Sequence, residues 1–186
     1  KLRLKKGDRV AAYVPNKIEN IICFLACAKN GIIWSSCSPD FGAQGVVDRF
    51  KQIEPKVLIT SDYYFYNGKK INILDKVDEV LKQIPSIEKV IVYNYYKKEK
   101  ENLKNFIDFE DTLNVELDES FERFEFNHPI YILFSSGTTG KPKCITHGTG
   151  NVLIEHNKEF MLHCNIKDNE KLFYYTTTGW MMWNWL

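Results

Sequence analysis

The chain has 186 residues, 44% of them hydrophobic and 26% charged, the make-up of a soluble globular protein with enough chain for one domain and a sizeable core. Lys and Arg number 25 against 24 Asp and Glu, a formal net charge of +1. So weak a field recruits neither nucleic acid nor an anionic membrane.

The basic start, residues 1–6, meets Gly7, Asp8 and Arg9 where a signal peptide needs an apolar run. The first residue is Lys1 rather than Met, so an interior piece of a longer protein is expected. Residues 8–14 predict a strand closed by Pro15, with Asn16 as a plausible N-cap. Residues 17–30 predict a helix, because Ile18, Ile21, Ile22, Leu25 and Ala28 recur at helical spacing before Gly31. Glu19, Asn20, Lys29 and Asn30 interrupt the apolar run 18–34 too often for a membrane span. Cys23 and Cys27 lie four apart on this helix, but no matching His or Cys pair sits at ligand spacing elsewhere. The five cysteines include no C-x-x-C pair, and buried thiols in a reducing cytosol are expected.

Strands at 32–36 and 56–60 flank a helix at 43–52. A tyrosine-rich loop and a helix at 73–83 fill 61–86, before a strand at 90–93. Strands alternating with helices predict an α/β fold with a mostly parallel sheet flanked by helices. Residues 97–127 are heavily charged and read as a surface connection with marginal helix. Pro129 opens a further strand. A helix at 152–164 and a strand at 172–176 complete the expectation.

The strand after Pro129 runs into Ser135-Ser136-Gly137-Thr138-Thr139-Gly140-Lys141-Pro142-Lys143. Glycines let backbone N–H groups approach phosphate oxygens, short hydroxyls add donors, and the lysines bring charge. A Walker loop needs four residues between its glycines and a hydroxyl after the lysine. Here two residues separate Gly137 from Gly140 and Pro142 follows Lys141, so a P-loop kinase or GTPase is disfavoured. No G-x-G-x-x-G dinucleotide fingerprint occurs either.

The 135–143 segment resembles the signature phosphate loop of the adenylate-forming enzymes, and the likeness extends over essentially the whole chain. Cys144 and the run from Tyr174 through Gly179, Trp180, Met181 and Met182 to Leu186 are similar to the acetoacetyl-CoA synthetase branch of that superfamily. The resemblance implies an incomplete N-terminal AMP-binding (adenylation) domain over 1–186, without the C-terminal domain and its catalytic lysine. It implies a cytosolic ligase of lipid and ketone-body metabolism, using ATP, Mg²⁺ and coenzyme A to convert acetoacetate to its thioester. Ser135, Ser136, Gly137, Thr138, Thr139, Gly140, Lys141 and Lys143 would bind the nucleotide, with Lys141 and Thr138 acting on the leaving pyrophosphate. Lys143 would add charge or hold the loop closed through a salt bridge. Trp180, Met181 and Met182 would line the acyl pocket.

Lys69 falls near where relatives present arginines to coenzyme A, but Tyr66 occupies one of those positions. His147 reads as a packing or hydrogen-bonding residue rather than a base. Another short-chain acyl-CoA synthetase, and a non-catalytic nucleotide-binding product, stay open as alternatives. The family's Tyr-Gly-x-Thr-Glu segment does not occur in these residues, so this stretch by itself is expected not to ligate.

Overall fold

The computed structural model describes residues 2–95, 106–116, 120–136 and 140–185. Three β/α units and a closing strand lead the chain: β1 (Arg9–Tyr13), α1 (Ile18–Lys29), β2 (Ile33–Cys37), α2 (Ala43–Phe50), β3 (Val57–Ser61), the hairpin β4 (Tyr63–Tyr66) and β5 (Lys69–Asn72), α3 (Leu74–Gln83) and β6 (Lys89–Tyr93). Then follow β7 (Phe106–Asp108), α4 (Phe109–Leu113), β8 (Pro129–Phe134), β9 (Cys144–Gly148), α5 (Thr149–Lys158) with a π-helical turn Glu159–His163, and α6 (Met181–Trp185).

Seven strands form one sheet in the order β7-β6-β3-β1-β2-β8-β9, all parallel except β9, which runs antiparallel to β8. Every residue of β2 and β3 is buried. That is the mark of parallel strands covered on both faces. Alternation sorts the side chains. Ala11, Tyr13, Ile33 and Leu58 face α2 and α3, while Val10, Ala12, Trp34 and Ile59 face α1 and α5.

The expected fold class holds, and local differences have physical causes. The tyrosine-rich stretch is a hairpin, because Asn67 (φ 48°) and Gly68 (φ 72°) accept the left-handed backbone of a tight turn. Within 97–127, β7 adds an edge strand beside β6, and Asp108 caps α4 through its side chain. Residues 96–105 and 117–119 lie outside the described residues. The strand expected at 172–176 is coil: Leu172, Phe173, Tyr174 and Tyr175 are exposed and have no ladder partner among the described residues.

In α1 the helical period is as expected, but the apolar stripe points outward. Ile18, Ile21, Ile22 and Leu25 are exposed, whereas Asn20 and Cys27 are buried. Burial pushes the thiols of Cys23 and Cys37 up to about 12, and that of Cys27 up as well. All three stay protonated at neutral pH. Among the described residues, no helix is long and apolar enough to cross a membrane.

Candidate functional site

β8 lies parallel to β2, and the chain leaves it at the carboxyl end of the sheet. It returns as β9 with Phe134 opposite Cys144, so Ser135, Ser136 and residues 140–143 lie at the end of an antiparallel pair. The backbone N–H of Ser135 donates to the Lys143 carbonyl at 3.0 Å, and the Lys143 N–H donates to Ser135 Oγ at 3.3 Å. Those two bonds close the neck of the loop. Ser135 is therefore engaged, but its hydroxyl hydrogen can still donate to a ligand.

Ser136, Gly140, Lys141 and Lys143 are exposed beyond the neck. A methyl group built on Gly140 would meet nothing within 4 Å, so the backbone there lies open to a ligand. The expectations for Gly137, Thr138 and Thr139 fall outside the described residues.

Beside the loop lies a pocket of about 180 Å³, lined by Gln44, Val47, Asp48, Lys51, Gln52, Gln83 and Lys141. Ligand pockets usually measure about 300–1,000 Å³. This one is too small for a nucleotide and is lined mainly by α2 and the residues just after it.

The second candidate segment reaches the same end of the sheet. Thr178 is buried; its hydroxyl donates to the Val14 carbonyl at 2.6 Å, and its carbonyl accepts from Ser36 Oγ at 2.7 Å. Val14 follows β1 and Ser36 lies in β2, so one threonine staples the 177–182 stretch to two strand ends. Gly179 needs its missing side chain. A Cβ there would lie 2.8 Å from the Phe41 ring and 3.1 Å from the Ser38 nitrogen. Trp180 and Met181 are exposed and Met182 is half-buried. Trp183 stacks on Trp34 at 6.3 Å with planes 23° apart, and its indole N–H donates to Asn16 Oδ1 at 2.8 Å.

Thr178 and Ser36 were not anticipated from sequence, since lone hydroxyls in apolar surroundings carry no distinguishing pattern. Replacing Thr178 with valine keeps the shape but leaves the Val14 carbonyl unpaired. The expected cost is about 1–3 kcal/mol, read by chemical denaturation. A change within about 0.5 kcal/mol, the range of ordinary surface substitutions, would show that the staple is dispensable.

His147 lies against the Tyr131 ring at 5.0 Å, and its Nε2 is buried with no hydrogen-bond partner among the described residues. Burial lowers its pKa, so the ring stays neutral. This environment suits packing. Lys69 and Tyr66 face each other across the turn of the β4–β5 hairpin.

The model of the AMP-binding enzyme family matches residues 1–183. An acetoacetyl-CoA synthetase of Gallus gallus is 46% identical over 195 residues, covering 100% of this chain and 29% of its own length. The acetoacetyl-coenzyme A synthetase of Rhizobium meliloti is 50% identical over 188 residues, covering 97% of this chain and 28% of its own. The solved structure of acetoacetyl-CoA synthetase from Streptomyces lividans superposes with a TM-score of 0.94 at 42% identity, over 100% of this chain and 28% of that one. The chain thus spans less than a third of the relatives it matches.

Proposed function

The chain belongs to the AMP-binding enzyme family, and on that premise we propose that the protein carrying it is an AMP-forming ligase joining acetoacetate to coenzyme A. One observation carries the reading. The 135–143 loop follows the carboxyl end of β8, and the 177–182 segment, distant in sequence, is bonded to the carboxyl ends of β1 and β2, with β2 the parallel neighbour of β8. In open α/β sheets that is where ligands bind.

In the proposed first step a carboxylate oxygen of the acid bonds to the α-phosphorus of ATP, and the bond to pyrophosphate breaks. In the second, the thiol sulfur of coenzyme A bonds to the acyl carbon, AMP leaves, and the thiol proton is released. Two anions must meet in the first step, so donors and positive charge are the scarce resource. Ser136, Gly140, Lys141 and Lys143 supply them here, and Thr138 and Thr139 join them in the proposal.

Mg²⁺ would neutralise phosphate charge. The described residues hold no group of three or more His, Cys, Asp or Glu able to grip a metal, and no residue of this stretch is assigned to it. The five cysteines are all unpaired, which fits a reducing, cytosolic setting.

Trp180, Met181 and Met182 are proposed as the acyl-pocket wall, with flexible thioethers moulding it to a β-keto acid. Replacing both methionines by alanine in the full-length protein is expected to lower the acetoacetate-to-acetate ratio of kcat/KM about 10-fold or more. An unchanged ratio refutes their role. A wild-type protein that prefers acetate or propionate would move the reading to another short-chain acyl-CoA synthetase.

A further inference from the structure

We propose that Gln52 is a positioning residue that clasps the phosphate loop to the end of α2 and sets where Lys141 and Lys143 stand; the inference rests on the adenylation reading above. Gln52 lies just past α2, between the buried Phe50 and Ile53, and its backbone N–H donates to the Arg49 carbonyl at 3.1 Å. Its base is therefore rigid. Its carboxamide has two N–H donors and an acceptor oxygen, and all are engaged. Nε2 donates to the Asp48 carbonyl at 2.6 Å and to the Pro142 carbonyl at 2.8 Å. Oε1 faces the Cys144 thiol, a weak donor, at 3.6 Å.

The side chain thus joins three pieces of the molecule: the last turn of α2, the proline between the two lysines, and the first residue of β9. Pro142 makes a stiff handle, because its ring fixes φ. Gln52 and Lys141 both line the pocket of about 180 Å³, so the clasp stands beside one of the two lysines it would position. Gln52 is itself exposed, and removing it opens no core. Its influence must pass through Pro142 to the neighbouring lysines. A misplacement of about 1 Å at a charged positioning group can cost about 100-fold in rate.

The test compares Gln52→Met, which keeps length without donors, with Gln52→Glu, which sets a carboxylate against two carbonyls. In the full-length protein, Gln52→Met is expected to raise the ATP KM of ATP–pyrophosphate exchange about 10-fold, the effect of one well-placed hydrogen bond. The KM for the acid and the thermal midpoint should stay unchanged, and Gln52→Glu should be worse. Amide hydrogen exchange at Lys143, whose N–H closes the loop neck, should quicken in both variants.

An ATP KM within twofold of wild type overturns the proposal. So does an equal rise in both KM values with a lowered midpoint, which marks a purely structural role. If the wild-type protein shows no exchange reaction, the adenylation reading fails instead. Hydrogen exchange at Lys143 then still judges the clasp, and an unchanged rate refutes it.

Discussion

Replacing Lys141 and Lys143 together by alanine is expected to lower ATP–pyrophosphate exchange about 10²–10³-fold, the scale set by losing preorganised charge at a developing anion. The structure makes this a clean experiment. The neck of the loop is closed by the Ser135 and Lys143 backbone and by the Ser135 hydroxyl, none of which the double substitution removes. The clasp from Gln52 takes the Pro142 carbonyl, which also survives. Both lysine side chains are exposed, so their removal should cost little stability. Circular dichroism and the thermal midpoint should match wild type while exchange collapses. Exchange within about threefold of wild type, far short of that scale, would remove these lysines from the chemistry and leave the loop a structural turn.

Trp34→Ala is expected to destabilise the fold by about 3–5 kcal/mol, the usual cost of emptying a large aromatic site in a core. Trp34 is fully buried in β2, opposite Tyr131 of β8, with the Phe24 ring at 6.0 Å and the Trp183 ring at 6.3 Å. Its loss opens a cavity where the sheet, α1 and α6 meet. The indole N–H finds no acceptor among the described residues, so Trp34→Phe gives up packing volume and no hydrogen bond. It should cost under about 2 kcal/mol. Urea denaturation separates the two variants, and equal losses would place the value of Trp34 in its nitrogen rather than its volume. Because Trp183 stacks on this ring, the alanine variant should also loosen the Trp180–Met182 wall and weaken binding of the acid more than of ATP.

The parallel strands other than β7 were legible as short, largely apolar runs bounded by turn residues; β7 was hidden in the charged stretch 97–127. Residues 56–60 and 90–93 read as strands, and Val57 to Thr60 and Val90 to Tyr93 are buried. α1 was legible as a helix but not in orientation. Spacing reveals that Ile18, Ile21, Ile22 and Leu25 share a face, not which body covers it. β9 was not legible, since Cys144, Ile145, Thr146, His147 and Gly148 carry no strong alternation and become a strand by pairing with β8. The β4–β5 hairpin carried its signal in Asn67-Gly68, which the surrounding tyrosines obscured.

The phosphate loop was legible in composition and spacing, whereas its clasp was not. Gln52 precedes Pro142 by 90 positions, and only the packing of α2 brings the two together. Thr178 was hidden for the same reason, being a lone hydroxyl whose partners are backbone and side chain of distant strands.

The staple at Thr178 also has a consequence in time. Its hydroxyl reaches a carbonyl 164 positions earlier in the chain, and Trp183 reaches back 167 positions to Asn16. A ribosome adding about 5–20 residues per second leaves roughly 8–33 s between the emergence of Val14 and that of its partner. The parallel strands can pair within that interval. The segment proposed to choose the acid arrives after these strands and must dock on them across contacts of the range that slows folding most. A nascent chain halted short of residue 178 would therefore present an assembled sheet whose carboxyl end still has the Val14 carbonyl and the Ser36 hydroxyl waiting in water.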